Sequence, residues 1–219
     1  MKFIFIKLAL PVCCCLFAAC QSLKVIEKPI VWDDTRKALS VEYLQQRHGL
    51  TKARSPYIIP KMVVSHWTAI PTLEGSLRAF QEAKLPNHRK ELQNSQLNVS
   101  VQFLVDYDGT IYRLMPDTAF ARHCIGLNYM AVGIENVGDG NKHPVTDAQV
   151  EANAKIVRYL AKKYPIEYLI GHHEYTAFRN SPLWKETDLN YITTKSDPGD
   201  EFMKKLRTKV ANLHLKSKP

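Results

Sequence analysis

Imidazoles and carboxylates that could share one chemistry are spread along the chain: His66, His123, Glu135, His172, His173, Glu174 and Asp197. These are the ligand types that zinc takes, and two histidines with one carboxylate leave a fourth position open for hydrolysis. No short signature such as His-Glu-x-x-His is present, so spacing alone does not choose ligands from this pool. Lys195 precedes Asp197 by two residues, a cation and a carboxylate beside a Pro198-Gly199 turn. A lone His or Glu at a strand end is most often structural or solvated, so the weight lies in the grouping. Cys124 is a soft donor next to His123 and stands as a weak rival ligand.

The elements that must carry these groups read as an alternating α/β pattern. Met62–Trp67 is short, β-branched and bounded by prolines, which predicts a strand with His66 on the same face as Val64 and opposite Ser65. Thr72 caps a helix to about Ala83. Val101–Asp106 and Thr110–Met115 flank Asp108-Gly109, a hairpin signal. A strand is expected at Ala131–Asn136, with Gly133 and Glu135 on one face. Thr146-Asp147-Ala148-Gln149 resembles a capping box and opens a helix to about Lys163. A strand at Glu167–Gly171 then delivers His172 and His173, which alternation aims apart. An amphipathic helix carries Phe202, Leu206, Val210 and Leu213. Residues 21–60 read as a leader and linker, with a short helix near Ser40–His48 closed by Gly49. The fold class is α/β: a single domain with a central mixed β-sheet flanked by helices.

Composition limits the rest. The 219 residues are 45% apolar and 23% charged, enough to bury one core without staples and unlike a disordered or collagenous chain. No apolar run is long enough for a polytopic membrane protein. Lys2 and Lys7 lead into the apolar run Leu8–Ala19 and then Cys20, the form of a secretory signal. Leu16-Phe17-Ala18-Ala19-Cys20 resembles a bacterial lipobox, with Phe17 where an aliphatic residue is usual. The resemblance implies lipidation at Cys20 and membrane attachment by several acyl chains. Gln21, in place of Asp, implies outer-membrane sorting in a Gram-negative envelope, with the domain facing the periplasm. Cys13, Cys14, Cys15 and Cys20 then belong to signal or anchor, and Cys124 alone cannot make an internal disulfide. Removing residues 1–19 lowers the formal charge from +9 to +7. For an exported chain that excess points to a polyanionic envelope partner and not to nucleic acid. Lys204, Lys205, Arg207, Lys209, Lys216 and Lys218 concentrate it near the end, where a solvated helix face is the plainest reading.

Six segments in order resemble the zinc-dependent N-acetylmuramoyl-L-alanine amidases of the type-2 family, which are related to peptidoglycan recognition proteins. They are Val63-Val64-Ser65-His66-Trp67-Thr68, Phe103–Tyr112, Ala121-Arg122-His123, Val132-Gly133-Ile134-Glu135, Gly171-His172 and Lys195-Ser196-Asp197-Pro198-Gly199. The likeness runs from about residue 60 to 205. It implies Zn2+ held by His66, His172 and Asp197, with Glu135 as the acid that activates the attacking water. It also implies that Lys195 steadies the developing oxyanion and that His123 lies near the substrate; Trp67 is a further candidate for the substrate groove. The domain plan that follows is a signal over 1–19, an anchor and extension over 20–55, a catalytic domain over 56–213 and a basic tail over 214–219. Hydrolysis of the bond between N-acetylmuramic acid and L-alanine of peptidoglycan or muropeptides, in wall turnover, is the expected activity. A non-catalytic peptidoglycan-binding module is the alternative, although such modules typically lose a ligand. The long stretch between His172 and Lys195, with Phe178, Trp184, Lys185 and Glu186, is expected to form a flap over the cleft.

Overall fold

The computed structural model describes residues 23–89, 92 and 94–219, so the signal and Cys20 lie outside the described residues. In chain order the elements are β1 (Ile26–Glu27), α1 (Asp34–Gln46), β2 (Met62–Trp67), α2 (Leu73–Gln81), β3 (Phe103–Val105), β4 (Ile111–Arg113), β5 (Ala131–Asn136), α3 (Asp147–Lys163), β6 (Tyr168–Gly171) and α4 (Asp200–Lys209). Short 3-10 helices follow at His172–Phe178 and Ala211–Leu213. The strands make one sheet in the order β1-β4-β3-β5-β2-β6. Only β3 and β4 pair antiparallel; β1 with β4, β3 with β5, β5 with β2 and β2 with β6 are parallel. The sheet is therefore mixed and helix-flanked, as the alternating pattern predicts.

Central strands covered on both faces read as apolar runs, and β2 and β5 begin so, at Met62–Val64 and Ala131–Ile134, before turning polar towards their carboxyl ends. Val63, Phe103, Val132, Ile134 and Leu169 face α3 and α4, whose Val150, Ile156, Leu160, Phe202 and Leu206 complete one core. Met62, Val64 and Ile170 face the other way, onto Cys124, Leu127, Tyr175 and Phe178. Local signals set the ends of these elements. The Thr146 hydroxyl accepts from Gln149 N at 3.1 Å while the Gln149 side chain accepts from Thr146 N at 2.8 Å, a complete capping box. In the hairpin, Gly109 sits at φ +84°, the left-handed region that its Asp108-Gly109 turn requires.

The N-terminal stretch departs from the linker expected there. Asp33 accepts from Arg36 N at 2.9 Å and starts α1 at Asp34, ahead of the expected Ser40. Tyr43 and Leu44 then join a core with Ile58, Leu97 and Phe120. Helix α2 stops at Gln81, short of Ala83. Its last carbonyls are taken by distant side chains: Arg36 Nη2 donates to Phe80 O at 2.9 Å and Asn98 Nδ2 to Ala79 O at 3.1 Å. At the other end of the chain, Lys216 exchanges backbone hydrogen bonds with Glu167 and Leu169 and so covers the free edge of β6.

Candidate active site

Parallel neighbours deliver their carboxyl ends to one edge of a sheet, where α/β folds place their ligands. Register sets His66 of β2 opposite Glu135 of β5, and Ser65 opposite Gly171 of β6, so His172 follows one step beyond. Paired residues share a face, which puts His66 and Glu135 side by side. Asp197 arrives from the loop before α4. Its carbonyl accepts from His173 N at 2.9 Å, and His173 Nδ1 lies 3.0 Å from the same oxygen. His173 therefore steadies the Asp197 backbone from outside the cluster, consistent with its being aimed away from His172.

Three donor atoms meet at one point. His66 Nδ1 lies 3.0 Å from His172 Nδ1 and 3.2 Å from Asp197 Oδ2, and His172 Nδ1 lies 3.0 Å from that oxygen. Zinc bonds of about 2.0–2.1 Å in a tetrahedron hold neighbouring ligand atoms about 3.3 Å apart, close to this spacing. All three residues are buried, and among the described residues they are the one grouping of His, Cys, Asp and Glu that could hold a metal. Cys124 is buried in the core beside Tyr175 and contributes nothing to the set.

The charges agree with this donor set. Burial, with the neighbouring His66 adding, lowers the His172 imidazole to about 4, so the ring is a neutral ligand. Burial opposes ionisation of Asp197, but hydrogen bonds from His172 and His66 outweigh it and hold the carboxyl far below the usual carboxylate range. Burial pushes the Glu135 carboxyl up to about 7, against the opposing charges of His66 and Lys195. Its Oε2 is buried without a hydrogen-bond partner, an atom left available beside the metal ligands.

A cleft of about 620 Å³ opens over this cluster, walled by α2 and the segment before β3, with Trp67, Arg78, His88, His123 and Lys195 in its lining. Trp67 both lines the cleft and packs: its ring lies so close to Gly140 that a Cβ there would stand 2.0 Å away. Arg122 shapes the wall from behind by donating to the carbonyls of Leu92 and Leu97.

The flap expected between His172 and Lys195 is not found. None of residues 173–194 lines the cleft. Tyr175 and Phe178 are fully buried, and Trp184 stacks on Tyr175 with centroids 5.8 Å apart and covers Gly126. Further along, Thr187 N donates to Arg47 O, and Glu186 pairs with Arg47 at 2.7 Å. The aromatic content of this segment anchors it to the sheet face and to the end of α1. Sequence reasoning missed Asn136, whose Nδ2 donates to His66 O at 2.8 Å and to Ser65 Oγ at 3.3 Å. Asn153 of α3 donates in turn to Asn136 Oδ1 at 2.7 Å. Ser65 and Asn136, polar residues within and beside the motif strands, were the available signal, because burial obliges them to find partners.

The family model for N-acetylmuramoyl-L-alanine amidase, Amidase_2, matches residues 53–200. No curated protein matches the chain in sequence. Among solved structures, the N-acetylmuramoyl-L-alanine amidase LysC from Clostridium intestinale URNW superposes with a TM-score of 0.55 at 22% identity, over 89% of this chain and 100% of that one. The endolysin N-acetylmuramoyl-L-alanine amidase LysCS of the same organism gives 0.52 at 21% identity, over 88% and 97%. Likeness at that identity establishes the fold. The family match takes in most of the chain and every residue of the cluster, and the chain belongs to the N-acetylmuramoyl-L-alanine amidase family.

Proposed function

We propose that the chain is a zinc-dependent amidase that hydrolyses the bond between N-acetylmuramic acid and L-alanine in peptidoglycan or muropeptides, in wall turnover. The observation that carries this reading is the convergence of His66, His172 and Asp197 beside Glu135, whose buried Oε2 has no hydrogen-bond partner. Zinc bound there supplies a Lewis acid that brings the pKa of water to about 7 and polarises the amide carbonyl. Glu135 takes a proton from the attacking water as the oxygen bonds to the lactyl carbonyl carbon. It returns that proton to the L-alanine nitrogen as the C–N bond breaks, which an amine leaving group requires. Its raised pKa suits a group that must both accept and donate near neutrality. Lys195 opposes the negative charge that builds on the carbonyl oxygen. Arg78 and Lys195 in the lining give the cleft cationic side chains for a substrate whose stem peptide carries carboxylates.

A recognition module without catalysis needs neither a full ligand set nor a proton carrier, and this chain has both. We further propose attachment through lipidated Cys20 to the outer membrane, with the domain facing the periplasm. Incorporation of labelled palmitate that disappears in Cys20→Ser is the expected result; unchanged membrane association in that variant opposes it. For the enzyme, zinc content and hydrolysis of an N-acetylmuramoyl-tripeptide are the test. One zinc per chain and release of a peptide with a free L-alanine amine are expected. Binding of the intact muropeptide with no cleavage would move the chain to the recognition class.

A further inference from the structure

We propose that Ser65, Asn136 and Asn153 are positioning residues for His66, closed into a ring of hydrogen bonds that clamps the main chain of this ligand to α3. The inference rests on the metal-centre reading above and goes beyond it, since none of the three belongs to the cluster or lines the cleft.

Two backbone carbonyls fix the direction of the ring. Asn136 Nδ2 lies 2.8 Å from His66 O and Asn153 Nδ2 lies 2.8 Å from Gln149 O, and a carbonyl can only accept. Both side-chain amides are oriented by these contacts. Asn136 Oδ1 then accepts from Asn153 Nδ2 at 2.7 Å, and Asn153 Oδ1 accepts from Ser65 Oγ at 2.9 Å. Ser65 Oγ in turn accepts from Asn136 Nδ2 at 3.3 Å, which closes the circuit. Every N–H of the two side chains and the Ser65 hydroxyl has its partner. A buried network that is fully satisfied in this way stiffens what it holds.

Its location gives the ring its task. Strand β6 pairs with β2 only as far as Ser65, so His66 stands where β2 has lost one flanking strand, while β5 continues to Asn136. There Asn136 grips the main chain twice: its side chain donates to His66 O, and its own carbonyl accepts from Thr68 N at 2.9 Å. Behind it α3 is held in turn, because Gln149 belongs to the capping box and its Nε2 donates to Val105 O and Val137 O. Ser65, Asn136, Asn153 and Gln149 are all fully buried, in a layer otherwise filled by Val63, Ile134, Val150 and Val157. Apolar groups of the same shape would hold α3 to the sheet about as well, so the ring is explained by what it does for His66 O.

Asn136→Leu removes the donor to His66 O, Ser65→Ala opens the ring while sparing that donor, and Ser65→Thr restores the hydroxyl. Arg36→Leu, which loosens the fold away from the site, controls for stability alone. Competition with a chromophoric chelator reads the zinc Kd of the folded proteins, and the visible spectrum of the cobalt-substituted forms reads ligand geometry. Expected in Asn136→Leu are a zinc Kd weakened about 10–100-fold and an altered cobalt spectrum, with Arg36→Leu unchanged in both. Ser65→Ala should lose less, and Ser65→Thr should recover that loss. In the zinc-free wild type, NMR should find the Nδ2 protons of Asn136 and Asn153 slow to exchange with solvent. An Asn136→Leu variant that binds zinc within about threefold of wild type and keeps the wild-type cobalt spectrum overturns the proposal, since the ring is then packing alone. So does rapid exchange of those side-chain protons in the wild type. If Asn136→Leu fails to fold, the Ser65→Ala affinity and the wild-type exchange still decide. A wild type that binds no zinc removes the functional reading. The Thr68 N–H then judges the clamp: faster exchange in Asn136→Leu upholds it, and the wild-type rate overturns it.

Discussion

Glu135 and His172 separate the two tasks that the site performs. Glu135→Gln keeps the shape and the metal ligands but cannot carry the proton, so turnover should fall about 10²–10⁴-fold with zinc content unchanged. His172→Ala should lose zinc and turnover together. Metal analysis beside a rate assay checks both, and wild-type activity in Glu135→Gln would remove Glu135 from the mechanism. Away from the cleft, His48 is buried among Tyr43, Phe120 and Tyr129, with Nδ1 donating to Lys185 O at 3.0 Å. Burial lowers its pKa to about 4, against the pull of that carbonyl and with the Arg47 charge adding. The unfolded chain then takes up the proton first as pH falls. His48 stability is thus full above pH 6.5 and is lost towards pH 4, by on the order of 3 kcal/mol. Denaturant midpoints at pH 7.5, 5 and 4 should fall less steeply in His48→Gln; an unchanged slope contradicts the assignment. Residue types were legible in the sequence as a pool of seven, but not the choice among them. His66 and Asp197 are 131 positions apart and meet only through strand register and one loop. His123, whose Nδ1 lies 3.0 Å from His66 Nε2, was hidden further, because its ring occupies the space that a side chain at Gly133 would take.

Elements whose own sequence carries their signal came through, and those built on tertiary contacts did not. The β-branched runs of β2 and β5 and the capping box of α3 fall where expected, and the register of β2 on β5 places two site residues at once. Helix α1 buries Arg36, Ser40, Tyr43 and Leu44, a half-polar stripe that apolar periodicity cannot reveal. Strand β1 is two exposed residues long and has no pattern to read. The segment between His172 and Lys195 misled for a different reason: aromatic residues suit a flap or an anchor equally, and only their burial distinguishes the two. Arg36 ties α1 to α2 by donating to Phe80 O and Gln81 O, and it is fully buried. Arg36→Leu strands those carbonyls and should cost about 2–4 kcal/mol of stability with the zinc affinity of folded protein unchanged. Urea titration of both proteins checks this. A loss below about 0.5 kcal/mol would mean that water serves the carbonyls equally well.

At the scale of the whole molecule, one edge of one sheet does the positioning, and the surface charge serves other ends. Several basic residues of α4 are already paired: Lys205 with Asp147 and Glu201, Lys209 with Glu151 and Arg207 with Glu174. The solvated-face reading of that charge fits this pairing, and exposed pairs of this kind each contribute under about 1 kcal/mol. No helix among the described residues is long and apolar enough to cross a membrane. The expected anchor and export address belong to residues outside the described ones. The measurement that bears most directly on the central claim uses the chain from Gln21 onward, loaded with zinc and incubated with intact sacculi, with a chelated sample and Glu135→Gln beside it. Mass spectrometry should find stem peptides with a free N-terminal L-alanine in the zinc sample alone. The same peptides in the chelated sample, or none in any sample although the chain binds both sacculi and small muropeptides, would contradict a zinc amidase.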